Sequence, residues 1–240
     1  MARIVYANTI GYDFGLQQRP HHIFNELAKR GHEILWVDPH NKKRKNTQFK
    51  KKINDNLTVF YDWNKFCSIY KDRVDVYYAT WANRWEDIDR LNPKFVLYDS
   101  LDLFPNHENN EKKMVDKADE ILVTAEKLKL YHEAHTKKRI HMCENGCFNK
   151  HRKQNYVMPD IIKQLKDHEQ PVILFSGALA LSPNTGWVDI DLLREITKKY
   201  YIVVVGKVWG INEEYIKHNQ DVFSKMLNVG IVDHETLQSY

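Results

Sequence analysis

Residues 3–38, RIVYANTIGYDFGLQQRPHHIFNELAKRGHEILWVD, switch hydrophobic period twice. Arg3 to Ala7 is a short β-rich run, and a loop holding Gly11 and Gly15 follows it. Pro20 stands where proline is tolerated, in the first turn of a helix. Ile23, Phe24, Leu27 and Ala28 then fall on one stripe at helical spacing. Gly31 is suited to the left-handed geometry that closes a helix, and EILWVD (33–38) reads as a second strand. Strand, helix, glycine turn and strand in so short a span make a βαβ unit, whose right-handed crossover implies a parallel sheet.

The same alternation continues downstream. Leu57–Tyr61, Val74–Ala79 and Lys94–Tyr98 are candidate strands, the last introduced by the turn pair Asn92-Pro93. Glu108–Ala118 reads as a helix, Glu120–Thr124 as a strand, Ala125–Ala134 as a helix and Ile140–Cys143 as a strand ended by Asn145-Gly146. Residues 149–170 turn polar and basic. After Pro171 the pattern restarts with VILFSG (172–177), a helix over 189–200, YIVVVG (201–206), MLNVGIV (226–232) and a helix beginning within 234–240. The division expected is therefore an α/β, Rossmann-like N-terminal domain over 1–150, a linker over 151–170, and the first part of a second Rossmann-like domain over 171–240. A parallel sheet of three strands lacks the crossover helices that cover both faces, so a longer polypeptide is expected.

Composition narrows the classes. A formal charge of +4 on 240 residues does not argue for nucleic acid. No stretch approaches the ~20 apolar residues of a membrane span, and the N-terminus lacks a signal peptide's apolar region. Three cysteines, Cys67, Cys143 and Cys147, are too few for a disulfide framework, which points to a reducing cytoplasm. Lys42 to Lys52 holds seven basic residues and no acidic one. It is expected as a solvated loop, with a patch for anionic lipid head groups as the alternative. No metal is expected: His132 and His135 do not form H-E-x-x-H, and His141, Cys143 and Cys147 lack a fourth ligand.

Ligands of open parallel sheets bind at the carboxyl ends of the strands, so the loops there supply the candidate residues. In the first, Gly11 lets the backbone approach a ligand, and Arg19 either holds an anionic group or salt-bridges across the domain. Trp81 and Trp85 in TWANRW (80–85) either stack on sugar rings or pack into the core. Asp99 and Asp102 in DSLDLF (99–104) are candidates for general acid/base work or for binding an acceptor hydroxyl; the alternative is a cap on the next helix. Gly177-Ala178 and Gly206-Lys207 follow the first two strands of the second domain. Their backbone N–H groups and the Lys207 charge are candidates to cradle a diphosphate.

Taken in order, several segments resemble the family-4 type of GT-B glycosyltransferases, in particular the bacterial group of cell-envelope, teichuronic-acid-like polysaccharide assembly. QRPHHIFNELAKRGHEILWVDP (18–39) resembles the family's first helix and second strand. VLYDSLDLF (96–104) resembles its Y-D-x-x-D strand ending. KADEILVTAEKL (117–128) is similar to an A-D-x-[IV]-[IV]-x-[ST] stretch, with Ala125 near the usual serine. HMCENGCF (141–148) resembles a P-N-G element, with Glu144 in place of proline. FSGALA (175–180), DIDLL (189–193), VVVGKV (203–208) and NVGIVDHETLQSY (228–240) resemble the opening of the donor domain.

The resemblance implies two Rossmann-like domains with parallel sheets, the second unfinished, since the family's E-x7-E donor element would lie beyond Tyr240. It implies retaining transfer of a sugar from a nucleoside-diphosphate donor to a cell-surface polysaccharide or lipid-linked acceptor, with no metal or other cofactor. Asp102, then Asp99, would act at the acceptor or reacting sugar. Gly11, Arg19 and Trp81 would bind the acceptor, and Gly177, Ala178, Gly206 and Lys207 the donor. The partners implied are a nucleotide sugar, a glycan or lipid-linked acceptor and an anionic membrane surface at Lys42–Lys52, on the inner face of the plasma membrane, with no nucleic acid. A nucleotide-sugar epimerase of the same architecture, or a non-catalytic binding subunit, are the alternatives.

Overall fold

The computed structural model describes residues 1–7, 9–13, 17–38, 48–104, 107–146, 157–165, 170–181, 188–233 and 236–240. The chain divides into two compact units, Met1–Gly146 and Cys147–Tyr240. Half of the linker expected over 151–170 lies outside the described residues; within the rest stands one short helix, Asp160–Leu165.

Unit 1 is built on strands β1 (Arg3–Ala7), β2 (Glu33–Val37), β3 (Lys50–Asn54), β4 (Leu57–Phe60), β5 (Val76–Ala79), β6 (Phe95–Ser100), β7 (Glu120–Val123) and β8 (Arg139–Met142). Helices α1 (Arg19–Lys29), α2 (Trp63–Tyr70), α3 (Trp85–Leu91), α4 (Glu108–Lys117) and α5 (Glu126–His135) connect them. The strands order as β3-β4-β2-β1-β5-β6-β7-β8, all parallel except β3, which runs antiparallel to β4. β1 pairs with β2 from Arg3↔Glu33 to Ala7↔Val37, and with β5 through Ile4↔Val76.

Alternation along β1 explains both faces of the sheet. Val5 joins Leu35, Phe66, Tyr77 and Met114 on one side; Ile4 and Tyr6 join Phe24, Ile34, Trp36 and Tyr78 on the other. Helix α1 closes the second side with Phe24 and Ala28 fully buried. Its end turns at Gly31, whose φ of +87° is costly for any residue with a Cβ, and His32 N–H donates to Leu27 O.

The basic run departs from the solvated loop expected of it. Lys50, Lys51 and Lys52 lie on β3, an exposed edge strand, where lysines discourage pairing with another chain. Lys42, Lys43, Arg44 and Lys45 lie outside the described residues. Helices α2 and α3 were absent from the pattern read above. Asp62 caps α2 by accepting from Lys65 N–H, and a single 3-10 turn over Ala82–Arg84 leads straight from β5 into α3.

With Asp160–Leu165 as α6, unit 2 holds β9 (Val172–Ser176), β10 (Leu179–Ala180), α7 (Ile190–Thr197), β11 (Tyr201–Val205), β12 (Val208–Trp209), α8 (Glu213–His218), α9 (Gln220–Phe223) and β13 (Met226–Gly230). Among the described residues its main sheet runs β13-β11-β9, all parallel. The β9 and β11 segments each bend at a glycine and pair again as β10 and β12, Leu179 opposite Val208. Leu193, Ile202, Val204 and Val222 form the core with Leu179 and Leu181. Within 234–240 the structure shows a 3-10 turn, Thr236–Ser239.

Candidate functional site

In unit 1 the chain moves from β1 outward to β2 on one side and to β5 on the other. The crevice between the carboxyl ends of β1 and β5 is therefore the switch point at which such sheets take ligands. A cavity of about 640 Å³ lies there, within the range of small-molecule sites. Tyr6, Gly11, Thr80, Trp81, Asp102 and Glu111 are among its walls.

One flank is aromatic. The Trp81 ring centroid lies 5.0 Å from that of Phe104 and 5.6 Å from that of His107. Trp85 takes the packing alternative: it opens α3, lies against the core, and carries the Lys113 ammonium 4.4 Å above its ring. Asp102 is exposed at the cavity, two residues past the end of β6. Neither it nor Asp99 caps α4, because His107 occupies that position.

Asp99 does not line the cavity. It is fully buried, and Arg19 grips it with both prongs, Nε to Oδ2 at 2.8 Å and Nη2 to Oδ1 at 3.2 Å. The Tyr78 hydroxyl donates to Oδ2 at 2.6 Å. Arg19 Nη1 also reaches the Glu144 carbonyl and Asn145 Oδ1, each at 3.2 Å. Burial opposes the guanidinium's charge, but the Asp99 contact outweighs it and the Arg19 pKa rises. Burial, then the Asp99 charge, push the Tyr78 phenol strongly upward. Of the two readings of Arg19, the structure realises the salt bridge: it ties the start of α1 to β5, β6 and the turn after β8.

Gly11 sits in the cavity wall, and a Cβ there would meet Asp38 Oδ2 at an ordinary 3.6 Å. Its carbonyl faces His21 Nε2 at 3.2 Å, and His21 Nδ1 accepts the Gln18 N–H, so Nε2 carries the ring proton and donates. Asp38, at the end of β2, accepts the Tyr12 N–H at 2.7 Å.

The sequence reading passed over Glu111, on the inward face of α4. It is 6% exposed, the Tyr98 hydroxyl donates to its Oε2 at 2.9 Å, and its Oε1 has no hydrogen-bond partner. Burial raises its pKa. Beside it His132 pairs Nε2 with Ser100 Oγ at 2.9 Å; burial, then His135, push its pKa down to about 4, so the ring is neutral. Only the spacing of Glu111, Met114 and Val115 on one helical face hinted that Glu111 turns inward.

In unit 2 the glycines do something other than cradle an anion. Gly177 N–H donates to Val205 O at 3.0 Å and Gly206 N–H to Gly230 O at 2.8 Å, so both amides are engaged. Gly206 has φ +147°, and a Cβ on it would stand 1.9 Å from Gly177 O. The pair is glycine because two strand ends cross in contact. Asp189 caps α7 by accepting from Asp191 and Leu192 N–H, which leaves that helix start with a carboxylate of its own. Ala178 is half-buried, while Lys207 is exposed with its ammonium 4.3 Å above the Trp209 ring.

Among the described residues no group of three or more His, Cys, Asp or Glu is arranged to hold a metal ion. Nor is any helix long and apolar enough to cross a membrane.

No family model matches the sequence. No curated protein matches it either. Solved structures do. Sucrose-phosphate synthase from Thermosynechococcus elongatus matches 99% of this chain and 73% of its own, with TM-score 0.67 and 13% identity. HepE of Anabaena, in complex with UDP and glucose, matches 100% and 71%, with TM-score 0.64 and 13% identity. WaaG, a glycosyltransferase involved in lipopolysaccharide biosynthesis, matches 100% and 72%, with TM-score 0.51 and 12% identity. The chain is thus an α/β protein with a mostly parallel, Rossmann-like sheet in each unit. Its fold is that of the GT-B glycosyltransferases.

Proposed function

We propose that this chain transfers a sugar from a nucleoside-diphosphate donor to a hydroxyl held in the cavity of unit 1. The observation that carries the reading is that cavity, at the switch point of a GT-B sheet, with an exposed carboxylate and an aromatic flank. HepE, similar over the whole of this chain, has been solved with UDP-glucose, which supports a UDP-sugar as donor.

In the step proposed, the acceptor oxygen bonds to the anomeric carbon as that carbon's bond to the diphosphate breaks. The diphosphate leaves from the face the acceptor approaches, which retains configuration; it keeps the electron pair, and the hydroxyl proton passes to Asp102. Retention of configuration, a family-4 affiliation and a place in cell-envelope polysaccharide assembly rest on the motif resemblance and belong to the same proposal. So does work at an anionic membrane surface, with Lys50, Lys51 and Lys52 as the described part of the basic run. Donor contacts are assigned to unit 2. There Lys207 supplies the exposed charge, while Gly177, Ala178 and Gly206 shape the strand ends beneath it.

Isothermal titration with UDP and with UDP-glucose, followed by a UDP-release assay with mixed glycans as acceptors, tests the reading. Nucleotide binding and acceptor-dependent release are expected. Absence of nucleotide binding, or epimerisation of the donor sugar without acceptor, would overturn it.

A further inference from the structure

The loop between β1 and α1 walls the cavity with Thr9, Ile10, Gly11 and Asp13, and side chains hold its backbone in place. Trp36 Nε1–H donates to Ile10 O at 3.1 Å, and Asp38 Oδ1 accepts the Tyr12 N–H at 2.7 Å. Between them, His21 Nε2 meets Gly11 O at 3.2 Å. His21 differs from the other two because both of its nitrogens are engaged. Nδ1 accepts the Gln18 N–H at 3.0 Å and completes a capping box, in the place where glutamate or glutamine is usual.

The start of α1 is itself fixed. Arg19 grips Asp99, and the ring of Pro20 restricts the backbone beside it. His21 therefore carries the position of the helix start to the Gly11–Tyr12 peptide in the cavity wall. Its ring is 1% exposed and packs on Trp36 and Tyr12, with centroids 4.7 and 5.9 Å away.

This pair of bonds needs one tautomer: an N–H for the carbonyl and a lone pair for the amide. A ring protonated on both nitrogens sets donor against donor at Gln18. Titratable groups on the surrounding elements are Tyr6 on β1, Asp38 after β2, Tyr78 on β5, Asp99 on β6, Tyr12 in the loop, and Arg19 and His22 on α1. Whatever charge they carry, the clash of donors follows from the two hydrogen bonds alone.

We infer that His21 is a positioning residue. As a neutral ring with its proton on Nε2, it hangs the Gly11 wall of the cavity on the start of α1, and protonation of Nδ1 releases that wall. The consequence for acceptor binding rests on the reading of this cavity as the acceptor site.

NMR of the full chain over about pH 8 to 5, the range in which histidines change charge, tests the device without any ligand. At the upper end the ¹⁵N shifts of His21 should report the Nε2–H tautomer. Protection of the Tyr12 amide and the shift of the Trp36 indole N–H should then change together with the His21 titration. Two variants separate the ends of the ring. His21→Asn places an amide oxygen near Nδ1 and leaves the Gly11 carbonyl without its donor. It should keep the fold but lose Tyr12 protection at neutral pH. His21→Gln reaches the carbonyl with an N–H that does not titrate, so it should recover protection and remove the acid step.

In UDP release from UDP-glucose with mixed glycans, His21→Asn should raise the acceptor KM about tenfold with kcat less affected, and His21→Gln should restore it. An Nδ1–H tautomer at neutral pH would overturn the inference. So would Tyr12 and Trp36 signals that ignore the His21 titration, or an asparagine variant that matches the parent. If no glycan supports release, the transferase reading fails while the NMR result still decides the role of His21. Release that is alike in parent and both variants defeats only the positioning role.

Discussion

Replacing Arg19 with methionine separates an architectural arginine from a ligand-binding one. The substitution keeps most of the aliphatic stem and removes two charged hydrogen bonds to Asp99, at 2.8 and 3.2 Å, with the two contacts to Glu144 and Asn145. Asp99 is 0% exposed, so its carboxylate would be left buried with the Tyr78 hydroxyl as its remaining hydrogen-bond donor among the described residues. Stranding one member of a buried ion pair typically costs about 3–5 kcal/mol. At ~2–4 °C per kcal/mol for a domain of this size, the melting temperature should fall on the order of 10 °C. Urea unfolding followed by tryptophan fluorescence gives the free energy. The double variant Arg19→Met, Asp99→Asn should recover about half of the loss, because a neutral amide suffers less from burial. A single variant within about 1 kcal/mol of the parent, combined with lost sugar binding, would refute the argument and make Arg19 a ligand group.

Gly206→Ala should cost about 2–4 kcal/mol in unit 2, since its Cβ would meet Gly177 O at 1.9 Å; Gly11→Ala, with 3.6 Å of clearance, should stay within about 0.5 kcal/mol. Calorimetric scans of the two variants check this, and equal shifts would contradict it. His132 makes stability depend on acid. Its pKa falls to about 4 in the fold from 6.5, so below pH 6.5 the unfolded chain takes the proton first. Its contribution is complete above pH 6.5 and is lost between pH 6.5 and about 4, up to about 3 kcal/mol, with raised Glu111 acting in the opposite sense. His132→Gln should flatten that part of a urea-midpoint profile; parallel profiles for variant and parent would count against it. Tyr98→Phe removes the donor to Glu111 Oε2 and leaves that carboxyl without a hydrogen bond, at about 1–3 kcal/mol by urea titration.

The fold was legible where local signals agreed. In residues 3–38 the strand period, the helical stripe and Gly31 all demand the same βαβ unit, and the rest of the sheet repeats it. The elements missed are those held by tertiary contacts. WNKFCSIY (63–70) is held as a helix by Phe66 and Tyr70 packing on Phe60 of β4, with ring centroids 4.9 and 5.4 Å away. Lys50–Lys52 gained a strand because β4 offers an edge, though lysine is a poor strand former. Gly206 announced a special backbone, but whether an anion or another strand occupies the space beside it depends on Gly177, 29 positions earlier in the sequence.

The same limit governs Asp99 and Asp102, which look alike in DSLDLF. Strand alternation separates them. In β6, Tyr98 and Ser100 point to α4 and α5, where they meet Glu111 and His132. Asp99, between them, must point to the other face, under α1, and there it can be stable only against a cation. Arg19 begins α1 at that place, so the Arg-Pro start of the first helix and the aspartate inside β6 are one structural unit. Asp102, beyond the last paired residue Ser100, escapes the alternation and reaches the cavity. A carboxylate within a central parallel strand therefore needs a named cation before it is assigned a catalytic role; one just past the strand's end does not.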